Sequence, residues 1–205
     1  MIQGSTLPTL ETERLALRWM SEGDIPSLFE IFSDPKVTPY VTIQPVSELG
    51  EAAKFLREIQ EGFASRSFFQ WGVARREDDR VIGTCTLFAL SVAHKRAEIG
   101  YALGSAYWGK GYITEALGAL LRFAYGTLGL YRIEADVDPR NAPSLRCLER
   151  LGFRREGYLR GRYHVNGEIQ DSVLFGLLRP KASAELGGEG AQPPAFQEGG
   201  ASAGS

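Results

Sequence analysis

The 205-residue sequence predicts an α+β fold: a mixed, mainly antiparallel central sheet flanked by helices. Three observations carry that prediction. Apolar residues switch repeatedly between alternate spacing and helical spacing along the chain. Turn signals join successive β-rich runs as hairpins, and one strand–helix–strand unit in the middle of the chain demands a parallel crossover.

The elements follow in order. Leu15, Leu17 and Trp19 alternate with Arg14, Ala16 and Arg18, the mark of a strand with one buried face. Asp24 precedes Pro26 at a helix opening, and Ile25, Leu28, Phe29 and Phe32 recur at helical spacing. Asp34-Pro35 and Gln44-Pro45 punctuate a loop, and Ser47 opens a second helix with Ala52, Phe55, Leu56, Ile59 and Phe63 on one face. Phe69, Trp71 and Val73 alternate before the polar turn 76–80, and Val81 to Phe88 completes a hairpin. A strand from Ala97 to Leu103 runs into a Gly-rich turn at 109–111, a helix from Tyr112 to Leu128 and a strand from Tyr131 to Val137. A last helix, Ala142 to Leu151, ends at Gly152 in the left-handed cap position. Strands near 153–164 and 169–178 flank Asn166-Gly167, the strongest short hairpin signal in the chain.

The folded unit is expected to span residues 8–180. Residues 181–205 hold six Gly, six Ala and three Ser around Pro193-Pro194, a composition that buries too little apolar surface to offset its ordering entropy, so a disordered tail is expected.

Composition excludes several function classes. Hydrophobic residues at 43%, charged at 23% and aromatic at 11% describe a soluble globular chain. A net charge of -2 argues against nonspecific attraction to nucleic acid or anionic lipid, so neither partner is expected. The amino terminus lacks an export signal and no apolar run reaches membrane-spanning length, which predicts a cytoplasmic protein. Cys85 and Cys147 read as buried small hydrophobes, and His94 and His164 stand in no metal-ligand spacing, so no metal is assigned.

The stretch from Glu98 to Ala116 is the most informative. Gly109 and Gly111 permit positive φ and close backbone approach, so successive N–H groups can point at one anion where the helix dipole also favours negative charge. Phosphate is the natural guest, and a tight turn with no ligand is the plainer alternative. Gly104 to Gly111 matches the P-loop pattern except at its last position, where Gly111 replaces the Ser or Thr that would hold Mg²⁺. Against a dinucleotide fingerprint, Thr114 stands where the third glycine belongs. A third reading lays a diphosphate on this turn and a pantetheine arm along the preceding strand, which describes coenzyme A.

Two separated motifs resemble the GNAT acetyltransferase superfamily. Trp108-Gly109-Lys110-Gly111-Tyr112-Ile113-Thr114-Glu115-Ala116 is similar to its acyl-CoA-binding motif, and Asn141 to Phe153, ending in Leu-Gly-Phe, is similar to its second motif. The likeness spans about residues 10–178 and most resembles the branch that acetylates amino termini of ribosomal proteins. Trp108 and Ile113 depart from the superfamily pattern, which shifts the expected diphosphate contacts toward backbone N–H groups and Lys110. Leu148 replaces the tyrosine that many relatives use as general acid, leaving Ser144 as the candidate, with a first-turn helix serine that contributes only hydrogen bonds as its plainer reading.

The resemblance implies an acetyl-CoA-dependent N-acetyltransferase acting by direct attack on the thioester, without a covalent enzyme intermediate. The acceptor is a protein amino terminus, as on a ribosomal protein, or a small amine; a noncatalytic acyl-CoA sensor is the alternative from another class. A homodimer is one assembly the chain permits. Deprotonating the amine calls for a carboxylate, and Glu98 is the choice, with a surface pair to Arg96 or Lys95 as its plainer reading. Backbone near Tyr101 to Leu103 is expected to serve the acyl oxygen, with Ala102 and Leu103 holding the pantetheine amides. Gly109, Lys110, Gly111, Tyr112, Ile113 and Thr114 are assigned to the diphosphate, and Asn141 either to the pantetheine arm or to a helix cap. Tyr40 and Asp171 are the candidate acceptor contacts, with an exposed strand carboxylate as the plainer reading of Asp171. Arg154, Arg155, Arg160 and Arg162 form a basic cluster that suits an acidic partner or a solvated strand face.

Overall fold

In the computed structural model, which describes residues 4–41, 43–165 and 167–180, eight strands form one sheet. The strands are β1 (Leu10–Glu11), β2 (Leu15–Arg18), β3 (Phe69–Arg75), β4 (Val81–Ser91), β5 (Arg96–Leu103), β6 (Arg132–Val137), β7 (Arg154–Val165) and β8 (Glu168–Leu178). Their spatial order is β1-β2-β3-β4-β5-β6-β8-β7, and only β5 and β6 run parallel. The helices are α1 (Ile25–Phe32), α2 (Leu49–Ala64), α3 (Tyr112–Gly126) and α4 (Ala142–Arg150).

The α+β prediction and its single parallel step are borne out, and the differences are local. The two-residue β1 has too few residues to show a period, and it forms because Leu10 and Glu11 lie opposite Leu17 and Ala16. Helix α2 begins two residues after Ser47, whose N–H and hydroxyl both donate to Glu51 Oε2, at 2.6 and 2.8 Å. At the last hairpin Val165 pairs with Glu168 and Gly167 has φ +84°, as a two-residue turn requires. Asn166 and the tail at 181–205 lie outside the described residues.

Helices cover both faces of the sheet. Helix α3 buries Leu117, Leu120, Phe123 and Ala124 at helical spacing against Leu15, Trp71, Ile82 and Ile99, all members of one core. A second core joins Leu28 and Phe32 of α1 to Ala52, Leu56 and Ile59 of α2, over Ala74, Val81 and Ala102. Each fully buried Leu or Phe contributes about 1.5–3 kcal/mol, so these two layers hold the sheet rigid beneath the site. Both cysteines are buried and unpaired.

Strand alternation fixes what faces what. In β6, Ile133, Ala135 and Val137 are buried while Glu134 and Asp136 are half-buried, so the two carboxylates share the opposite face. In β5, Ala97 and Ile99 join the α3 core and Ala102 joins the α1–α2 core, which places Glu98 on the same side as Glu134.

Candidate active site

The sheet opens at its parallel seam. Strand β5 pairs with β4 from Arg96 through Leu103, but it pairs with β6 only at Arg96, Ala97 and Glu98, opposite Arg132, Ile133 and Glu134. Beyond that point β6 remains paired with β8 through Val137. The edges of β5 from Ile99 to Leu103 and of β6 from Ala135 to Val137 therefore diverge, leaving a slot with unpaired backbone along both walls. Unpaired backbone groups retain full hydrogen-bonding demand, so the slot suits an extended guest carrying amides.

At the end of the β5 wall the chain makes the Gly-rich turn. Gly109 and Gly111 adopt φ +75° and +79°, conformations costing other residues roughly 1–2 kcal/mol. Gly111 is the amino-terminal cap of α3, and no side chain caps the helix. A Cβ placed on Gly109 would meet nothing within 4 Å. The first-turn amides of α3 thus have no side-chain acceptor, and the turn is compatible with an anion held on bare backbone. Lys110 lies beside the turn, donating from Nζ to Ala106 O at 3.1 Å. The Trp108 indole donates to Leu103 O at 2.7 Å and ties the strand end to the turn. That bond occupies the Leu103 carbonyl, so any pantetheine contact expected of Leu103 falls to its other groups.

Glu98 stands where the two strands part. Among the described residues it has no ion pair and no side-chain hydrogen bond; Arg96, its expected surface partner, binds Glu134 instead. Burial, reinforced by the charges of Glu134 and Asp136, holds the Glu98 carboxyl above the ordinary glutamate range. A carboxylate with a raised pKa and no partner is a competent proton acceptor near neutral pH.

The neighbouring acids are engaged. Glu134 accepts from Arg132 Nε at 2.8 Å and from Arg96. Burial pushes its carboxyl up, but these two hydrogen bonds outweigh burial and hold it below the usual range. Asp136 accepts from Tyr163 Oη at 2.9 Å and from the Ser172 hydroxyl, with Arg162 Nε 3.5 Å away.

Across the slot, Asn141 caps α4 by accepting from the Ser144 N–H at 3.1 Å. That geometry fits the capping reading and commits Oδ1 to the helix. Ser144 is buried, 9% exposed, and its Oγ lies 2.6 Å from the Tyr101 hydroxyl. This bond links β5 to α4 across the slot, and burial raises the Tyr101 phenol so that it stays protonated. The tyrosine side chain was missed in the sequence, where only its backbone was assigned. Its alternation with Ala97 and Ile99 does place it on the helix-covered face, but no local signal names Ser144 as its partner. Thr114 Oγ1, 3.3 Å from Cys147 Sγ, makes a second side-chain link between α3 and α4.

The remaining assignments are more dispersed. Asp171 accepts from the Tyr158 hydroxyl and from the Gly161 N–H at 2.8 Å, fastening the irregular register between Leu159 and Tyr163. Tyr40 ends a single 3₁₀ turn, Thr38–Tyr40, and is 42% exposed. Neither makes a side-chain bond to the slot residues. Of the basic cluster, Arg155 is tied to Glu149 and Arg162 to Asp136. A largely apolar groove lined by Leu121, Tyr125, Leu151 and Leu177, together with Arg122 and Arg179, lies at the opposite end of α3, and no carboxylate lines it among the described residues.

Comparison with known proteins places the chain in a family. Residues 14–154 match the family model described as an acetyltransferase (GNAT) domain. The chain belongs to the GNAT acetyltransferase family, and it is an N-acyltransferase of that type. It is 38% identical over 173 residues to the N-acetyltransferase p20 of Bacillus licheniformis, covering 84% of this chain and 97% of that one. It is 29% identical over 177 residues to the ribosomal protein uS5-alanine N-acetyltransferase of Escherichia coli, covering 83% and 91%. The solved structure of a GNAT-family acetyltransferase from Bacillus anthracis superposes with a TM-score of 0.74 at 26% identity, over 83% of this chain and 98% of that one.

Proposed function

We propose that the chain moves the acetyl group of acetyl-CoA directly onto the primary amine at a protein amino terminus, with Glu98 as base and Ser144 as acid. The observation that carries this reading is the coincidence, on one wall of one slot, of an uncapped helix start at Gly111 and an unpartnered carboxylate at Glu98. The diphosphate belongs at the turn 109–114 and the pantetheine arm along Tyr101 to Leu103. Glu98, directly or through water, removes a proton from the ammonium so that the neutral nitrogen attacks the thioester carbonyl. Backbone N–H groups of β5 stabilise the oxyanion, and its collapse forms the amide and breaks the C–S bond. Ser144 then gives its hydroxyl proton to the departing sulfur and regains one from the proton that the attacking nitrogen sheds as it becomes a neutral amide, so that Glu98 is left holding the proton taken from the ammonium.

Glu134 and Asp136 are matched by Arg96, Arg132 and Arg162, which leaves Glu98 as the carboxylate of the slot that suits a cationic acceptor. The relative named for acetylating an alanine of ribosomal protein uS5 supports a protein amino terminus among such amines. A thiol-release screen with acetyl-CoA tests the choice. Turnover with peptides bearing a free Ala or Ser amino terminus, exceeding that with polyamines and amino sugars, is the expected outcome. Turnover confined to small amines would overturn the protein acceptor while leaving the chemistry intact.

A further inference from the structure

Outside the slot, a dense polar network joins the start of β2 to the start of α3. Glu115, in the first turn of α3, accepts from Thr12 Oγ1 at 2.6 Å and from the Arg14 backbone N–H at 2.9 Å through Oε1. Its Oε2 takes Arg14 Nε at 2.7 Å and Nη2 at 2.6 Å, a two-pronged grip that a lysine lacks. Arg14 also donates from Nη1 to Lys110 O at 3.0 Å, and its guanidinium lies 4.6 Å from the centre of the Tyr112 ring. A Cβ on Gly111 would come within 3.5 Å of Arg14 Nη2. One side chain near the edge of the sheet thus binds Lys110, Tyr112 and Glu115 and lies beside Gly111, the frame of the Gly-rich turn.

The sign of the charges gives this contact a purpose. A carboxylate in the first turn of a helix satisfies the positive end of its dipole, so Glu115 alone would occupy the field that an incoming anion needs. Arg14 pairs with that charge and hydrogen-bonds the Lys110 carbonyl, another negative pole at the turn. We propose that Arg14 is a positioning residue for acyl-CoA: it neutralises Glu115 and occupies the Lys110 carbonyl, leaving the α3 amides free to hold the diphosphate. The inference rests on the reading of that turn as the diphosphate site.

The two halves of the pair test it because they should act in opposite directions. Titration calorimetry with CoA at low ionic strength is expected to show Arg14→Ala weakening binding by about fivefold, with KM for acetyl-CoA raised more than kcat is lowered. Glu115→Gln, which keeps the oxygen that Thr12 uses, should bind CoA at least as tightly as the parent chain, and added salt should shrink both effects. A purely structural clamp predicts that both variants bind more weakly. Loss of affinity in Glu115→Gln, or unchanged affinity in Arg14→Ala, overturns the proposal. If Arg14→Ala does not fold, the direction of the Glu115→Gln change decides alone. Failure of the parent chain to bind CoA would overturn the diphosphate reading itself.

Discussion

The β6 wall of the slot and the β5 wall carry a similar set of polar groups and treat them differently. On the β6 side, Glu134 is held by two arginines, Asp136 by Tyr163, Ser172 and Arg162, and the following helix is capped by Asn141. On the β5 side Glu98 has no hydrogen-bond or ion-pair partner among the described residues, and the following helix starts at Gly111 without a side-chain cap. A fold normally satisfies such groups internally, because an unmet polar group near the interior is costly. Where one wall is satisfied and its neighbour is left open, we assign the open wall to the substrate, which would complete the bonding there.

Exchanging the two glutamates is the severest way to break this contrast. Glu98→Gln is expected to lower kcat by about 10²-fold or more, the usual contribution of a positioned base. Glu134→Gln should instead show chiefly in stability, by at most about 1 kcal/mol because the pair is partly solvated. Steady-state kinetics and thermal melts of the two variants separate these outcomes; equal losses of kcat would erase the distinction between the walls.

The helix starts give the next contrast. Gly111→Val places a β-branched residue at φ +79° and is expected to raise KM for acetyl-CoA about tenfold, whereas Asn141→Ala loses a cap and should cost about 1 kcal/mol of stability. Initial-rate titrations and denaturant unfolding read the two effects. Tyr101→Phe, which removes the bond across the slot, should lower kcat by a few-fold, the worth of one hydrogen bond to Ser144.

The pH dependence sharpens the comparison further. Glu98 titrates above the usual glutamate range, so the rate should rise with pH to a midpoint displaced upward, and Glu98→Gln should lose that limb. The folded state binds the Glu98 proton more tightly than the unfolded chain does, so its contribution to stability falls as pH rises through that window. Glu134 runs the other way: its contribution is present above the ordinary value and is lost as pH falls through its lowered folded value. Melts of Glu98→Gln and Glu134→Gln across acid pH should therefore diverge in opposite senses.

Much of the β5 wall was legible in the sequence because its signals are local. The alternation from Ala97 to Leu103, the paired glycines and the apolar stripe of α3 all lie within one stretch, and each has a backbone reason. The capping role of Asn141 was legible as one of two readings, since its acceptor is three residues away. What could not be read are the contacts set by tertiary packing. Arg14 meets Glu115 across 101 positions, and Tyr101 meets Ser144 across 43. Arg96 turns to Glu134 rather than Glu98 because the parallel register places Arg132, Glu134 and Arg96 together. Asp171 looked available for an acceptor because nothing in its neighbours announces the irregular strand at Gly161 that engages it.

An amide-resolved NMR titration with CoA tests the division between the walls most directly. The largest shifts are expected at the backbone N–H groups of Gly109 to Thr114 and of Ile99 to Leu103, with smaller changes along β6. Shifts centred instead on the groove formed by Leu121, Tyr125, Leu151 and Leu177, with the glycine turn unmoved, would contradict the account.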